Sequence, residues 1–262
     1  MIQGLDKFRQ HFAGLTGHYV LIGGAATDLV MAEVGVEFRA TKDFDIVLCV
    51  EALDARFAEA FWEFVRIGGY QNQQRGTGAK VFYRFDRPTD KSFPYMLELF
   101  SRVPDSLVLG DDSHLTPIPI DEDVSSLSAI LLDEIYYQFL HEHKKEIDGV
   151  SVVSEACLIP LKAKAWLDLT ARRDEGATVD SKTIKKHKND IFRLFQIIQP
   201  DSRYELPDVI ADDMQNYFGA ISQELDVDLK SFGLKGLGVA DVVSRLRKVY
   251  ELPEKEKNDG AD

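Results

Sequence analysis

The chain is predicted to adopt an α+β fold, with a mixed sheet and flanking helices in the first half and a helical domain behind it. Three observations predict this. Short apolar runs alternate with helical patterns between residues 18 and 101. A stretch rich in proline and aspartate, with Pro104, Pro117 and Pro119, breaks the pattern at 103–123. Beyond it, apolar residues recur at helical spacing to about residue 251.

Each element has its own signal. Residues 3–15 read as a short amphipathic helix. Strands are expected at 18–22, 44–50, 80–86 and 94–101, where apolar and β-branched residues cluster. Helices are expected between them, at 24–34 and 51–66. The second carries Ala52, Phe57, Ala60, Phe61, Phe64 and Val65 on one stripe, and Gly68-Gly69 caps its end. Residues 71–79 are a polar, glycine-containing loop bordered by Arg75 and Lys80, for which solvent exposure is the expectation. After 103–123, Ser125 and Ser126 are placed to cap a helix running to Lys145. Asp148-Gly149 reads as a turn before a short β-like segment at 150–153. Helices follow to Arg173, with Pro160 early in its length, then at 181–198, 207–224 and 239–251. The charged tail is expected to be disordered. The expected domains are therefore 1–123, 124–250 and a tail at 251–262.

Composition narrows the function classes. With 45% hydrophobic residues the chain can bury a core, and no apolar run reaches membrane-spanning length. The segment MIQGLDKFRQHF lacks the basic and apolar regions of a signal peptide, so a cytoplasmic protein with no membrane partner is expected. Cys49 and Cys157 lie in apolar surroundings and read as buried free thiols. His141 and His143 are two apart on an expected helix and would not share a face. A net charge of −13 argues against a broad nucleic-acid-binding surface. Residues 162–193 nevertheless hold nine lysines and arginines against five acids, which points to a confined polyanion site. For Lys185, Lys186 and Lys188 a solvated helix face is the simpler account.

The chemistry concentrates in YVLIGGAATDLVMAEVGVEFRATKDFDIVL, residues 19–48. Asp43 and Asp45 are two apart, so on a strand they point the same way. Two carboxylates on one face repel, and a magnesium ion carrying substrate phosphates is the usual compensation. Gly23-Gly24 opens a helix whose first amides are free to hold an anion. Arg39 and Thr41 lie on the approach to the aspartates, where Arg39 would orient a carboxylate or meet a phosphate. A two-metal site needs a third carboxylate from a neighbouring strand. Glu98 in PYMLELFS is the candidate, because Leu97 and Leu99 alternate with it and bury the opposite side.

The run Leu-Ile-Gly-Gly-Ala-Ala followed by Arg-Ala-Thr-Lys-Asp-Phe-Asp-Ile resembles the nucleotidyltransferase superfamily of the polymerase-β type. Its Arg-x-Thr-x-Asp-x-Asp form is most similar to the AbiEii/AbiGii abortive-infection toxin family. LIPLKAKAWLDL, with Lys162, and KKHKNDIFRLF, with Asp190, match that family's later motifs, so the resemblance spans residues 18–200. It implies a nucleotidyltransferase-type mixed sheet in 1–123 and a helical domain in 124–250 that completes the nucleotide site. By the resemblance, Gly23, Gly24 and Thr27 hold the triphosphate and Asp43 and Asp45 bind magnesium. Lys162, with Lys164 as its rival, meets the phosphates, and Asp190 positions the lysine or the nucleotide. The implied reaction moves an NMP from an NTP to an acceptor hydroxyl with two magnesium ions, one of them shared with Glu98. The implied acceptor is RNA, tRNA ends foremost, in a toxin–antitoxin pair with a cognate antitoxin. A protein, a small molecule such as an aminoglycoside, and non-catalytic nucleotide binding are the alternatives.

Overall fold

The computed structural model describes residues 2–71, 83–103, 115–118, 127–222 and 227–253. Arg75 and Lys80, Ser125 and Ser126 as helix caps, most of the expected break at 103–123, and the tail from residue 254 lie outside the described residues. The chain divides into two compact units, Met1–Ser154 and Glu155–Asp262.

The first unit is built on one mixed sheet. Its elements are α1 (Leu5–His11), β1 (Tyr19–Ile22), α2 (Gly23–Glu33), β2 (Asp43–Leu48), α3 (Ala55–Gly68), β3 (Arg84–Asp86) and β4 (Met96–Ser101). They continue with β5 (Leu115–Ile118), β6 (Leu127–Leu131), α4 (Glu134–Glu142), β7 (Lys144–Ile147) and β8 (Val150–Val153). The strand order is β5-β6-β4-β2-β1-β8-β7, and β3 pairs with β4 as well. Every residue of β1 is buried, as a central strand covered on both faces requires. β1 runs antiparallel to β2 and parallel to β8, while β2 runs parallel to β4.

One face of this sheet carries an aromatic layer. Phe8 of α1 lies with its ring centroid 5.2 Å from Tyr19, 5.2 Å from Phe44 and 5.8 Å from Phe64 of α3. Phe85 of β3 joins from the side, edge-on to Phe61 at 5.5 Å. Offset and edge-on rings of this kind add to the burial of apolar surface. The α3 stripe is buried as its spacing predicts; Asp54 caps the helix by accepting from the Phe57 amide at 2.8 Å. Gly69 closes it with φ +62°. Phe44 lies between Asp43 and Asp45 in sequence, so the two aspartates face the other way.

The stretch after residue 125 departs from the expected helix. Residues 127–131 form β6, which pairs with β4 and β5, and α4 begins only at Glu134. Asp133 is the cap, its Oδ1 accepting from the amides of Ile135 (2.9 Å) and Tyr136 (3.3 Å). Leu-Ser-Ala-Ile-Leu is ambiguous in periodicity, and a vacant place beside β4 decides it for strand. Lys144 and Lys145, expected at the helix end, belong to the β7–β8 hairpin. Its turn is Asp148-Gly149, both with positive φ, as a type I′ turn demands. The boundary expected at residue 123 therefore falls inside the first unit, because β6 and β8 complete its sheet.

In the second unit the described elements are α5 (Glu155–Asp174), α6 (Ser181–Phe195), α7 (Asp208–Ile221), a 3₁₀ turn at Leu229–Phe232 and α8 (Val239–Val249). α5 packs against α6 and α7, with Trp166 edge-on to Tyr217 at 5.4 Å. Pro160 lies five residues past the start of α5, deeper than the first turn where proline is best tolerated. No helix among the described residues is long and apolar enough to cross a membrane.

Candidate active site

The site in the first unit starts at the junction of β1 and α2. Ile22 is the extended N-cap of α2 and makes no side-chain cap hydrogen bond, so the cap residue itself leaves the leading amides to other groups. Gly23 has φ +64°, a conformation that disfavours any residue with a Cβ. A Cβ there would also stand 1.8 Å from Oδ2 of Asp45. A Cβ on Gly24 would stand 2.7 Å from Oγ1 of Thr41 and 3.6 Å from the Arg39 guanidinium. The glycine pair therefore gives room to Asp45 of the second strand and to the two side chains, Arg39 and Thr41, on its approach. The head of a helix and a carboxylate share one spot.

Thr27 does not join them. It is wholly buried, and its hydroxyl donates to the Gly23 carbonyl at 2.6 Å. In this structure it braces the first turn of α2, as a threonine within a helix readily bonds back four residues.

Asp43 and Asp45 lie on one face of β2. Oδ1 of Asp43 is buried with no hydrogen-bond partner among the described residues. A buried carboxylate oxygen without a donor is costly and marks a place where a cation or a water is called for. Glu98 is the β4 partner of Asp45 in register and shares its face, as the alternation with Leu97 and Leu99 predicts. One of its oxygens, however, is taken. Oε1 accepts from Nε of Arg84 at 2.7 Å and from Nη2 of the same residue. Among the described residues, no group of three or more His, Cys, Asp or Glu side chains could hold a metal ion. The expected cage of Asp43, Asp45 and Glu98 is thus not formed. What remains is a pair of carboxylates on one face, hard oxygen donors of the kind a divalent cation takes, one of them with a buried oxygen that has no partner among the described residues.

The second unit holds a buried ionic cluster. Lys162 of α5, 4% exposed, donates to Oδ2 of Asp190 at 3.2 Å, and Asp190 of α6 is wholly buried. Arg193, one turn on, donates to Oδ1 at 3.0 Å. Each oxygen of one carboxylate thus takes a cation, which is how charges are kept out of water. Lys164 faces elsewhere. It pairs with Asp168 at 3.2 Å and Asp213 at 3.5 Å. Partial burial would lower its pKa, and those two carboxylates outweigh that and raise it. Lys162, not Lys164, is the lysine joined to Asp190.

Two arginines escaped sequence reasoning. Arg193 was findable, since it lies three residues from Asp190 on a helix. Arg84 was not, because its partner comes from another strand.

Two cavities of the first unit lie away from the aspartates. One of about 780 Å³ is lined by Asp6, Arg9, Asp28, Glu37 and Phe38 among others. The second, about 370 Å³, is lined by Glu51, Arg102, Tyr137, His141 and Lys144 among others. There Tyr137 donates to Glu51 at 2.8 Å, and Arg102 pairs with the same carboxylate. Burial pushes the His141 pKa down, and the nearby Lys144 adds to it.

Comparison of the chain with protein-family models, with curated proteins and with solved structures found no match.

Proposed function

We propose that the chain is a magnesium-dependent nucleotidyltransferase that moves an NMP from an NTP to an acceptor hydroxyl. The observation that carries this reading is the seating of the Asp45 carboxylate against Gly23 at the head of α2. Phosphates and the cation that escorts them need a helix N-terminus and acidic oxygens within reach of each other, and this junction supplies both. The orphaned oxygen of Asp43 supports it. The sequence resemblance to the polymerase-β superfamily supplies the finer reading: a toxin of the AbiEii/AbiGii kind, acting on RNA with tRNA ends as acceptor and held in check by an antitoxin.

In this mechanism the chain's own work is positioning and electrostatics. The amides of α2 take the triphosphate. Asp43 and Asp45 fix the cation's place, and Thr41 and Arg39 line the approach. Magnesium, when bound, neutralises charge on the phosphates and helps the pyrophosphate leave. Asp190 holds Lys162 in one direction; the part of that lysine in the reaction rests on the resemblance alone.

A second reading is non-catalytic nucleotide binding. It is favoured by the engagement of Glu98 with Arg84, which spends one oxygen and much of the charge of the third carboxylate on the protein itself. One experiment separates the two. The purified protein is incubated with each labelled NTP, magnesium and total RNA or protein extract, beside the Asp43→Ala/Asp45→Ala variant. Label in RNA with the unmutated protein alone supports transfer to RNA, and label in protein moves the acceptor class. Bound nucleotide with no label in either fraction favours the second reading.

A further inference from the structure

We infer that Arg84 is an anion-binding residue of this site, held in aim by Glu98, and that it takes a phosphate oxygen of the bound triphosphate. The inference rests on the nucleotide reading above and replaces the metal-ligand part expected for Glu98.

Strand register is the first support. Arg84 of β3 is the partner of Glu98 on β4, Glu98 is the partner of Asp45 on β2, and Asp45 is the partner of Ile22 on β1. Directly paired residues share a face, so Arg84, Glu98 and Asp45 form one row across three strands. The row ends at Ile22, the residue that introduces the Gly23-Gly24 turn. It lies on the face opposite the aromatic layer. With strands about 4.8 Å apart, β3 sits roughly 10 Å from β2, so Arg84 approaches the row from beyond Glu98.

The second support is how the pair is made. Nε and Nη2 of Arg84 both donate to the single oxygen Oε1. A guanidinium carries five N–H groups, so most of its donors are left over. Among the described residues they meet no other hydrogen-bond partner. The Glu98 side chain is 11% exposed and the Arg84 side chain 49%. The carboxylate is thus the buried anchor and the guanidinium the outward member. A buried carboxylate needs such a partner, and a fixed guanidinium is suited to phosphate oxygens.

The third support is charge. Asp43, Asp45 and Glu98 place three acids on this face of a chain whose net charge is −13. A triphosphate approaching that face needs cationic contacts beyond one metal ion, and Arg84 lies in the row itself.

Two parallel titrations test this: calorimetric binding of ATP, CTP, GTP and UTP with magnesium, and binding of Mn²⁺ alone read by electron paramagnetic resonance. Arg84→Ala is expected to weaken triphosphate binding roughly tenfold with Mn²⁺ affinity unchanged. Glu98→Gln, whose amide oxygen still accepts from Arg84 but without charge, is expected to keep its Mn²⁺ affinity and to weaken triphosphate binding less than Arg84→Ala does. Where Arg84→Ala alone unfolds, the Arg84→Ala/Glu98→Gln double variant, which leaves no unpaired buried charge, carries the same expectation. The inference is overturned if Arg84→Ala or that double variant binds triphosphate as well as the unmutated protein. It is equally overturned if Glu98→Gln loses its Mn²⁺ affinity, since Glu98 is then a metal ligand. If the unmutated protein binds none of the four triphosphates, the nucleotide reading itself falls and takes this inference with it.

Discussion

Oδ2 of Asp45 occupies the space into which a Cβ on residue 23 would project, the two atoms standing 1.8 Å apart. The glycine is thus required twice, by its positive φ and by its neighbour. Gly23→Ala is expected to cost about 1–3 kcal/mol of stability from backbone strain alone. Asp45 must also swing away, so Mn²⁺ binding and nucleotidyl transfer fall together. Urea denaturation beside a Mn²⁺ titration checks both. An alanine variant with unchanged stability contradicts the contact.

Asp43 is expected to show the opposite balance. Its buried Oδ1 lacks a donor, so Asp43→Asn removes a charge that the fold does not compensate. Stability should hold or rise by up to about 1 kcal/mol, while transfer drops at least roughly a hundredfold. The check is a denaturation midpoint set against the label-transfer rate. A variant both less stable and fully active means that Asp43 serves the fold.

The Lys162–Asp190–Arg193 cluster is expected to be non-additive. Lys162→Met takes one of its cations from Asp190, and Asp190→Leu takes the carboxylate from a buried lysine; each is expected to cost about 3–5 kcal/mol. The double variant replaces the pair with apolar groups and should cost clearly less than the sum. A double-mutant cycle by chemical denaturation measures this. Strict additivity means that the two side chains do not depend on each other.

His141 gives a pH signature. Its pKa is lowered, first by burial and then by Lys144, with Arg102 adding and Glu51 opposing. The unfolded chain therefore binds a proton at a higher pH than the folded one. Its contribution to stability is fully present above the unfolded value, near pH 6.5, and is lost as pH falls through the depressed folded value. Unfolding midpoints at pH 8 and pH 5.5, with His141→Phe as reference, check the sign. The unmutated protein should lose more stability on acidification than the variant does.

Much of the site could be read from local spacing because local spacing made it. The run from Tyr19 to Leu48 contains β1, the Gly-Gly turn, α2 and the Asp-Phe-Asp strand in one continuous piece, so its parts meet without help from distant chain. Lys162 and Asp190 met for a similar reason: they lie on consecutive helices that pack together. The errors are non-local. Arg84 reaches Glu98 only because β3 turns back along β4, and nothing in the spacing of either strand foretells that pairing. The same holds for β6, whose residues become strand because β4 has an edge to fill. The bond from Thr27 to the Gly23 carbonyl was not foreseen either, since a sequence does not say which acceptor one hydroxyl takes.

Phe44 is wholly buried between two aspartates that face the other way. β2 thus packs Phe44, Ile46 and Leu48 on one face and turns Asp43 and Asp45 to the other, with Val47 buried beyond them. Heat or substitution that loosens the rings around Phe8 and Phe64 would let the strand roll, and the carboxylates would lose their aim with no residue of the site altered. Inactivation should then precede unfolding. Damage far from the aspartate face would look, in an assay, like damage to it.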